Sequence, residues 1–473
     1  MSPKSIPVLI VGAGNAGRQL LREFKKSNEL NYCIVGFLDD DPKKKNKAIR
    51  GIPVIGTLED LEMQVKKNKI KIVFIAFPSV HGGVIRALAG RCKKIGVECR
   101  IIPKFLEIIQ NKVRLSFVRP VTIDDLVGRP IIKKDQIKFL SLLKDKKVLV
   151  TGAAGSIGSE LVRQINEFSP RKIICGDQWE TGLFDLEHEL KGKKEVEKDF
   201  IILNIQDRQK MDWVFKKHKP DYVFHAAAYK HVPLMDLHPE EAVKNNIIGT
   251  KNVAYLAGKY GAEKFTFIST DKAVNPSSVM GATKSFCEAL LQYYEKKFKT
   301  VYCSVRFGNV LGSYGSVVPL FQKQIAKGGP VTVTHPDMKR FFMTIPEAVQ
   351  LVLHASRIGK GGEIFLLEMG EQMKILDLAN TMIRLSGLEP GKDIQIKITG
   401  IRPGEKLYEE LFAEQEELSK TDHDLIYALK NVSHQVSDTL LSTYARLKAL
   451  AKKNDRENLI KELRTFYTNL QKS

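Results

Sequence analysis

Apolar and polar positions along this chain repeat in a pattern: a short, nearly unbroken apolar run, a turn, then a longer stretch with helical periodicity. Unbroken runs suit strands buried on both faces, and the longer stretches suit the helices that cross between parallel strands. The first repeat is Pro7–Val11, a glycine turn from Gly12 to Gly17, and a helical stretch from Arg18 to Lys26. Tyr32–Leu38 follows and ends at Asp39-Asp40-Asp41-Pro42. Lys71–Phe77 leads into a helical stretch closing near Gly96, and a short strand, Val97–Ile102, precedes Pro103. This predicts one Rossmann-like α/β domain over residues 1–133. Gly128–Asp135 reads as its exit, and residues 134–146 as a linker, partly helical.

The alternation restarts at Lys147-Val-Leu-Val-Thr-Gly152. Strands are predicted at Lys172–Cys175, Phe200–Leu203, Tyr222–His225, Phe265–Ile268 and Val301–Val305, with helices such as Ile157–Phe168 and Lys284–Lys297 between them. Beyond about residue 310 the strands shorten and Gly/Pro turns multiply, which predicts a small α/β substrate lobe. The expectation is an α/β protein with two Rossmann-like, doubly wound parallel-sheet domains. The second spans residues 147–412, and a basic, helical C-terminal tail covers residues 413–473, its amphipathic part running from Thr439 to Gln471.

Composition changes little of this: 473 residues, 43% hydrophobic and 27% charged, are ordinary for globular domains. The net charge of +21 is not ordinary and favours polyanionic partners. No zinc-finger spacing or RNP-like motif supports nucleic acid, so none is expected. Lysines that merely solvate helix faces and peripheral attachment to an anionic inner-membrane face both stay open. The six cysteines form no C-x-x-C pair, and those inside apolar runs such as Tyr32-Cys33-Ile34-Val35 read as small core residues of a reduced, cytoplasmic protein. No apolar run is long enough to span a bilayer, and the N-terminus lacks signal-peptide form. No metal site is expected.

The chemistry concentrates in the second unit. Thr151-Gly152-Ala-Ala-Gly155-Ser156-Ile157-Gly158 falls between a strand and a helix, where glycines let the backbone approach a pyrophosphate and the helix N-terminus favours its charge. Asp177 closes the next strand, where a carboxylate accepts hydrogen bonds from an adenosine ribose and repels a 2'-phosphate, so NAD is expected rather than NADP. Asp207, after the third strand, is placed to meet the adenine. Ala226 and Ala227 are small enough for a loop pressed against the cofactor, and Lys230 can reach a sugar or phosphate. His225 reads as a satisfied core histidine, and Asn246 as structural support. Gly12-x-Gly14-x-x-Gly17 with Asp39–Asp41 is textually similar, but no catalytic constellation follows it. A nucleotide site and a plain structural turn both stay open there.

Arg306-Phe-Gly-Asn309 places an amide after a strand, with Ser316 just beyond. Arg340 and Arg402-Pro-Gly-Glu405-Lys406 add cations, whose guanidinium forks suit a diphosphate while an amide suits sugar hydroxyls or a uracil edge. The remaining motif is Ser269-Thr270-Asp271-Lys272-Ala-Val-Asn275-Pro276, followed by Met280-Gly-Ala-Thr-Lys284.

Together with Val150–Glu160, His225–Pro233 and Arg306–Gly315, these segments closely resemble the extended short-chain dehydrogenase/reductases. They are most similar to the bacterial UDP-N-acetylglucosamine 4,6-dehydratases of capsule, lipopolysaccharide and protein-glycosylation pathways, over roughly residues 147–412. The N-terminal domain resembles the first soluble domain of that family's long members. Those members usually begin with transmembrane helices, which this sequence lacks, so a naturally soluble or a shortened form is expected.

A short-chain dehydrogenase would place Tyr-x-x-x-Lys at Met280–Lys284, and methionine can neither take nor give a proton. The resemblance implies a net elimination instead: hydride leaves C4 for NAD, a base removes the acidified C5 proton, an acid expels the C6 hydroxyl as water, and hydride returns at C6. It assigns the acid to Asp271 and the base to Lys272, with Lys284 on the nicotinamide ribose. It further implies UDP-N-acetylglucosamine as substrate, held by Lys230, Asn275, Asn309, Ser316, Arg340, Arg402 and Glu405, and a homo-oligomer. Burial and the positive charges of Lys284 and the oxidised nicotinamide are expected to lower the Lys272 pKa. Asp271, with Thr270 holding the hydroxyl, is the expected acceptor of the C4 hydroxyl proton. The long architecture and Met280 favour retention at C5. A C5-inverting dehydratase, a 4-epimerase and a catalytically dead, NAD-binding regulatory scaffold are the alternatives.

Overall fold

The computed structural model describes residues 5–26, 32–45, 47–77, 82–102, 119–120, 143–192, 196–414, 416–430 and 438–472. Two compact units emerge, residues 1–134 and, in the main, residues 135–473. The expected exit at Gly128–Asp135 and all but the last residues of the 134–146 linker lie outside the described residues.

In the first unit, β1 (Ile6–Val11), β2 (Tyr32–Leu38), β3 (Ile52–Gly56), β4 (Ile72–Ile75) and β5 (Glu98–Ile101) form a parallel sheet in the order β3-β2-β1-β4-β5, with two-residue strands at its edges. Val8, Ile10, Leu20, Phe37 and Phe74 are fully buried or nearly so beneath it. The glycine loop after β1 is fixed by Asp39, whose Oδ2 accepts the Ala13 N–H at 2.7 Å. Lys44 pairs with the same carboxylate at 3.1 Å. Desolvation would raise the Asp39 pKa, but backbone donors and Lys44 outweigh it and hold the pKa below the usual range.

The second unit is built on β6 (Lys147–Thr151), β7 (Lys172–Asp177), β8 (Glu197–Ile202), β9 (Tyr222–His225), β10 (Lys264–Ile268), β11 (Val301–Arg306), β12 (Ile364–Leu367), β13 (Glu417–Lys420) and β14 (Ile426–Lys430). Their order is β8-β7-β6-β9-β10-β11-β12-β14-β13. Strands β6 to β12 run parallel, and β14 and β13 close the edge antiparallel. The order reverses at β6, which opens a crevice at the carboxyl ends of the strands, where open α/β sheets bind ligands. Helices Ser156–Glu167, Glu180–Leu190 and Ile345–Ile358 cover one face, and Arg208–His218, Thr250–Lys259 and Val279–Glu295 cover the other.

Two expectations change. The helix expected from Lys284 begins at Val279, because Ser278 caps it by accepting the Gly281 N–H at 3.2 Å. The described residues of 413–473, expected as a separate tail, instead pack within the second unit. They supply β13 and β14, then helices Asp438–Lys453 and Arg456–Lys472, which bury Leu440, Leu447, Leu459 and Leu463 in the core beside Val279–Glu295. The apolar face of the amphipathic stretch expected from Thr439 is thus a packing face. Asn454, at φ 54°, separates the two helices.

Candidate active site

The parallel strands β6 to β11 deliver their last residues, or those just after them, to the crevice. After β6, Gly152 turns at φ +72°, and a Cβ there would stand 2.6 Å from the Ala227 nitrogen, so only glycine lets the loop lie against the Ala226-Ala227 segment after β9. Gly155 then caps the Ser156–Glu167 helix, whose first N–H groups face the crevice with the partial positive charge of the helix end. Asp177 at the end of β7 accepts the Ala154 N–H at 2.9 Å and the Trp179 N–H at 3.0 Å, tying the loop to the second strand. A recess of about 170 Å³ lies here, lined among others by Gly152, Asp177, Trp179, Ile205, Ala226 and Ala227. Asp207 does not reach it. That carboxylate caps the Arg208–His218 helix by accepting the Lys210 N–H at 3.0 Å.

The recess continues into a cleft of about 1070 Å³ lined by Gly155, Ser156, Ile157, Gly158, Lys230, Thr270, Lys272, Met280, Lys284, Asn309, Ser316, Arg340, Arg402 and Glu405, among others. The residues present fit a dinucleotide such as NAD: a glycine cradle closed to a Cβ at Gly152 and Gly158, a helix N-terminus for the pyrophosphate, and an acid at the ribose end. Folding thus gathers nearly all the residues expected from sequence. Besides Asp207, Asn275 is an exception, since its side chain donates to Glu410 at 2.8 Å and accepts from the Tyr467 hydroxyl at 2.8 Å, outside the cleft lining.

Thr270, Asp271 and Lys272 occupy the turn after β10. The Thr270 hydroxyl donates to Asp271 Oδ1 at 2.9 Å, and Lys272 Nζ donates to the same oxygen at 2.9 Å and to Asn309 Oδ1 at 3.2 Å. Asp271 is 1% exposed, and its Oδ2 makes no hydrogen bond among the described residues. Asp271 therefore meets the cleft through Thr270 and Lys272, which line it. The Val279–Glu295 helix presses on this turn at Gly281, where a Cβ would collide with the Lys272 carbonyl. Met280 and Lys284 project from that helix into the cleft.

The electrostatics of the two lysines differ. Burial depresses the Lys284 pKa to about 8, while its Nζ donates to the Ile268 carbonyl at 2.7 Å and lies 4.3 Å from the centre of the Phe267 ring. Burial also pushes Lys272 down, but the carboxylates of Asp271 and Glu409 outweigh it and raise its pKa above the ordinary value. The expectation that Lys272 is depressed is thus corrected: two anions flank the amine. Reduced solvation lowers the Lys230 pKa. His225 is held by Thr151 at 2.6 Å and Thr250 at 2.9 Å, and burial drops its pKa to about 3, a satisfied neutral core histidine. Asn246, on the π-helical turn Val243–Gly249, clasps the Tyr229 backbone and the Thr283 hydroxyl, fixing the loop after β9 from behind.

The two arginines also part company. Arg402 is exposed on the cleft wall. Arg340 is buried, and its terminal nitrogens donate to the carbonyls of Lys339, Lys406 and Leu407. It is therefore a clamp on the backbone rather than the free diphosphate fork expected. Its Nε lies 3.6 Å from Glu409, which the motifs did not single out. A carboxylate three residues past Arg402–Lys406 in so basic a chain was the available signal. Trp179 and Tyr314 were also missed: they meet edge to face at 5.2 Å across the cleft mouth, with the Tyr314 N–H donating to the Ser156 hydroxyl at 3.0 Å.

A family model described as "Polysaccharide biosynthesis protein" matches residues 148–431, and one described as "CoA-binding domain" matches residues 4–103. The "Probable polysaccharide biosynthesis protein EpsC" of Bacillus subtilis (strain 168) is 48% identical over 410 residues, 86% of this chain and 68% of that relative. The "Capsular polysaccharide biosynthesis protein CapD" of Staphylococcus aureus is 44% identical over 432 residues, 90% of this chain and 72% of that relative. A solved structure, "X-ray structure of Pen from Bacillus thuringiensis", is 34% identical with a TM-score of 0.58, covering 62% of this chain and 90% of that one. With its crevice at the strand ends, its glycine cradle and these matches taken together, the chain belongs to the polysaccharide biosynthesis protein family, on the fold of the extended short-chain dehydrogenase/reductases.

Proposed function

We propose that this chain is a nucleotide-sugar 4,6-dehydratase that uses NAD and acts on UDP-N-acetylglucosamine with retention at C5, for a surface polysaccharide or glycan. The observation that carries the proposal is the company Met280 keeps: it stands in the cleft beside the linked Thr270, Asp271 and Lys272 and the depressed Lys284. Without a titrating tyrosine, proton transfer falls to that turn. NAD, when bound, supplies reversible hydride acceptance, so the sugar can be oxidised at C4 and reduced at C6 with no net redox change. The similarity to capsular and polysaccharide biosynthesis proteins supports the substrate class.

The chain's residues divide the work. Thr270 receives the C4 hydroxyl and passes its proton to Asp271 Oδ1 along the 2.9 Å hydrogen bond. Lys272, once neutral, takes the C5 proton. Asp271 then returns its proton to the departing C6 oxygen, so water leaves and the carboxylate is restored. As hydride comes back to C6, the Lys272 ammonium gives its proton back to the same face of C5, which leaves the amine neutral and the C5 configuration retained. Lys284 binds the nicotinamide ribose, and its cation favours hydride transfer away from C4. Asn309 orients the sugar together with Lys272, and Arg402 and Lys230 neutralise the diphosphate.

Incubating the protein and NAD with UDP-N-acetylglucosamine, and reading the product by mass, tests the proposal. Loss of one water is expected. A product of unchanged mass would make the chain a 4-epimerase, and no conversion would favour the regulatory-scaffold reading. Proton NMR coupling constants of the product assign C5, with inversion sinking the retention claim.

A further inference from the structure

The proposed reaction gives Lys272 the C5 proton but leaves a second carboxylate on that amine without a task. Glu409 is 6% exposed, and its Oε1 lies 3.6 Å from Lys272 Nζ and 3.6 Å from Arg340 Nε. Asp271, Lys272, Glu409 and Arg340 thus form a chain of alternating charge through the cleft wall. Its far end is anchored, because Arg340 donates to the carbonyls of Lys406 and Leu407, and Gln372 Nε2 donates to the Glu409 carbonyl at 3.1 Å. The charged groups facing Lys272 are Asp271 on its own turn, Glu409 beyond the 402–406 loop and Arg340 on its short strand, with Lys284 of the neighbouring helix lining the same cleft. Asn309 adds a neutral amide oxygen.

Desolvating a paired carboxylate and ammonium costs several kcal/mol per ion, so such a pair is a poor way to gain stability. A function for the second carboxylate appears when the proton transfers are followed. As Asp271 takes the C4 hydroxyl proton it becomes neutral. The C5–H bond then breaks, its proton forms an N–H bond on Lys272, and its electron pair stays on the sugar. A new ammonium is thereby created beside an uncharged Asp271, and Glu409 is the anion that remains in contact with it.

Resting on the dehydratase reading, we propose that Glu409, clamped by Arg340, is a positioning residue that holds Lys272 in the cleft and governs the protonation of its amine. Competitive acetylation of Lys272, followed by mass spectrometry across a pH series in the full chain without substrate, reads this directly. Opposite charges this close shift a titration by about one to three units. In Glu409→Gln the Lys272 midpoint is therefore expected to fall by about one unit or more, while Glu410→Gln, on the exposed neighbour, leaves it in place. An unchanged midpoint in Glu409→Gln, or an equal fall in Glu410→Gln, overturns the proposal. If Glu409→Gln does not fold, Glu409→Asp takes its place and should give a smaller fall in the same direction, with no fall counting against the proposal. With UDP-N-acetylglucosamine, the rising limb of kcat against pH should move down by the same amount at unchanged KM. Should the wild-type chain not dehydrate that substrate, the functional reading fails, and the acetylation midpoints still decide the role of Glu409.

Discussion

Asp271 and Lys272 are neighbours in sequence, yet their roles separate through what each one touches. Asp271 is sealed from solvent and communicates through the Thr270 hydroxyl. Replacing it with asparagine removes the only acceptor on that path, so Asp271→Asn should slow C4 oxidation by about 10²- to 10⁴-fold, the usual contribution of a positioned acid or base. Single-turnover formation of reduced nicotinamide measures this, and a normal rate would show that another group takes the proton. Lys284 gives a prediction of a different kind. Burial sets its folded pKa at about 8, below its ordinary value of 10.5. Between those values the unfolded chain binds more protons than the folded one, so this residue makes stability rise as pH rises. Relative to Lys284→Met, which lacks that titration, the wild-type chain should gain about 3 kcal/mol from pH 7 to pH 11. Urea unfolding of both proteins along that range checks it, and parallel curves would contradict the burial of the amine.

Among the elements, β11, the Val279–Glu295 helix and the segment before β13 are fastened by one buried guanidinium. Arg306 donates to both oxygens of Glu288 at 2.8 Å and to Glu416 at 2.9 and 3.0 Å, and Ser269 adds a 2.6 Å hydrogen bond to Glu288. These carboxylates raise the Arg306 pKa despite burial. Because the knot holds Ser269, it also holds the start of the turn that carries Asp271 and Lys272. Removing one partner of a buried ion pair costs about 3–5 kcal/mol, so Glu288→Leu is expected to lower stability by that order in chemical denaturation. A loss under about 1 kcal/mol would mean the site relaxes around the charge, as at exposed pairs. Sequence could not reveal this knot, since its four members lie in four separate segments. It could reveal the glycine cradle and the strand ends, where motif and element coincide.

For the whole molecule, the C-terminal helices test how the second unit is assembled. Leu440, Tyr444, Leu447, Leu459 and Leu463 are all buried in the core that includes the Val279–Glu295 helix. At about 2 kcal/mol per side chain their burial amounts to about 10 kcal/mol, as much as the whole stability of a typical domain. A chain ending at residue 437 should therefore lose cooperative thermal unfolding and aggregate, whereas a dispensable tail would leave the melting curve unchanged. The alternation of apolar runs and helical stretches determined by itself that two parallel α/β units form. It also fixed where their glycine loops and acids fall, because strand period, turn chemistry and helix start are local properties of the chain. The tertiary structure alone decided that Arg340 clamps backbone rather than presenting a free fork, that Asn275 faces away from the cleft, and that Lys272 stands between two carboxylates. Those outcomes depend on which distant segments meet, and charge and hydrogen-bond energies are set by such meetings rather than by the residues themselves.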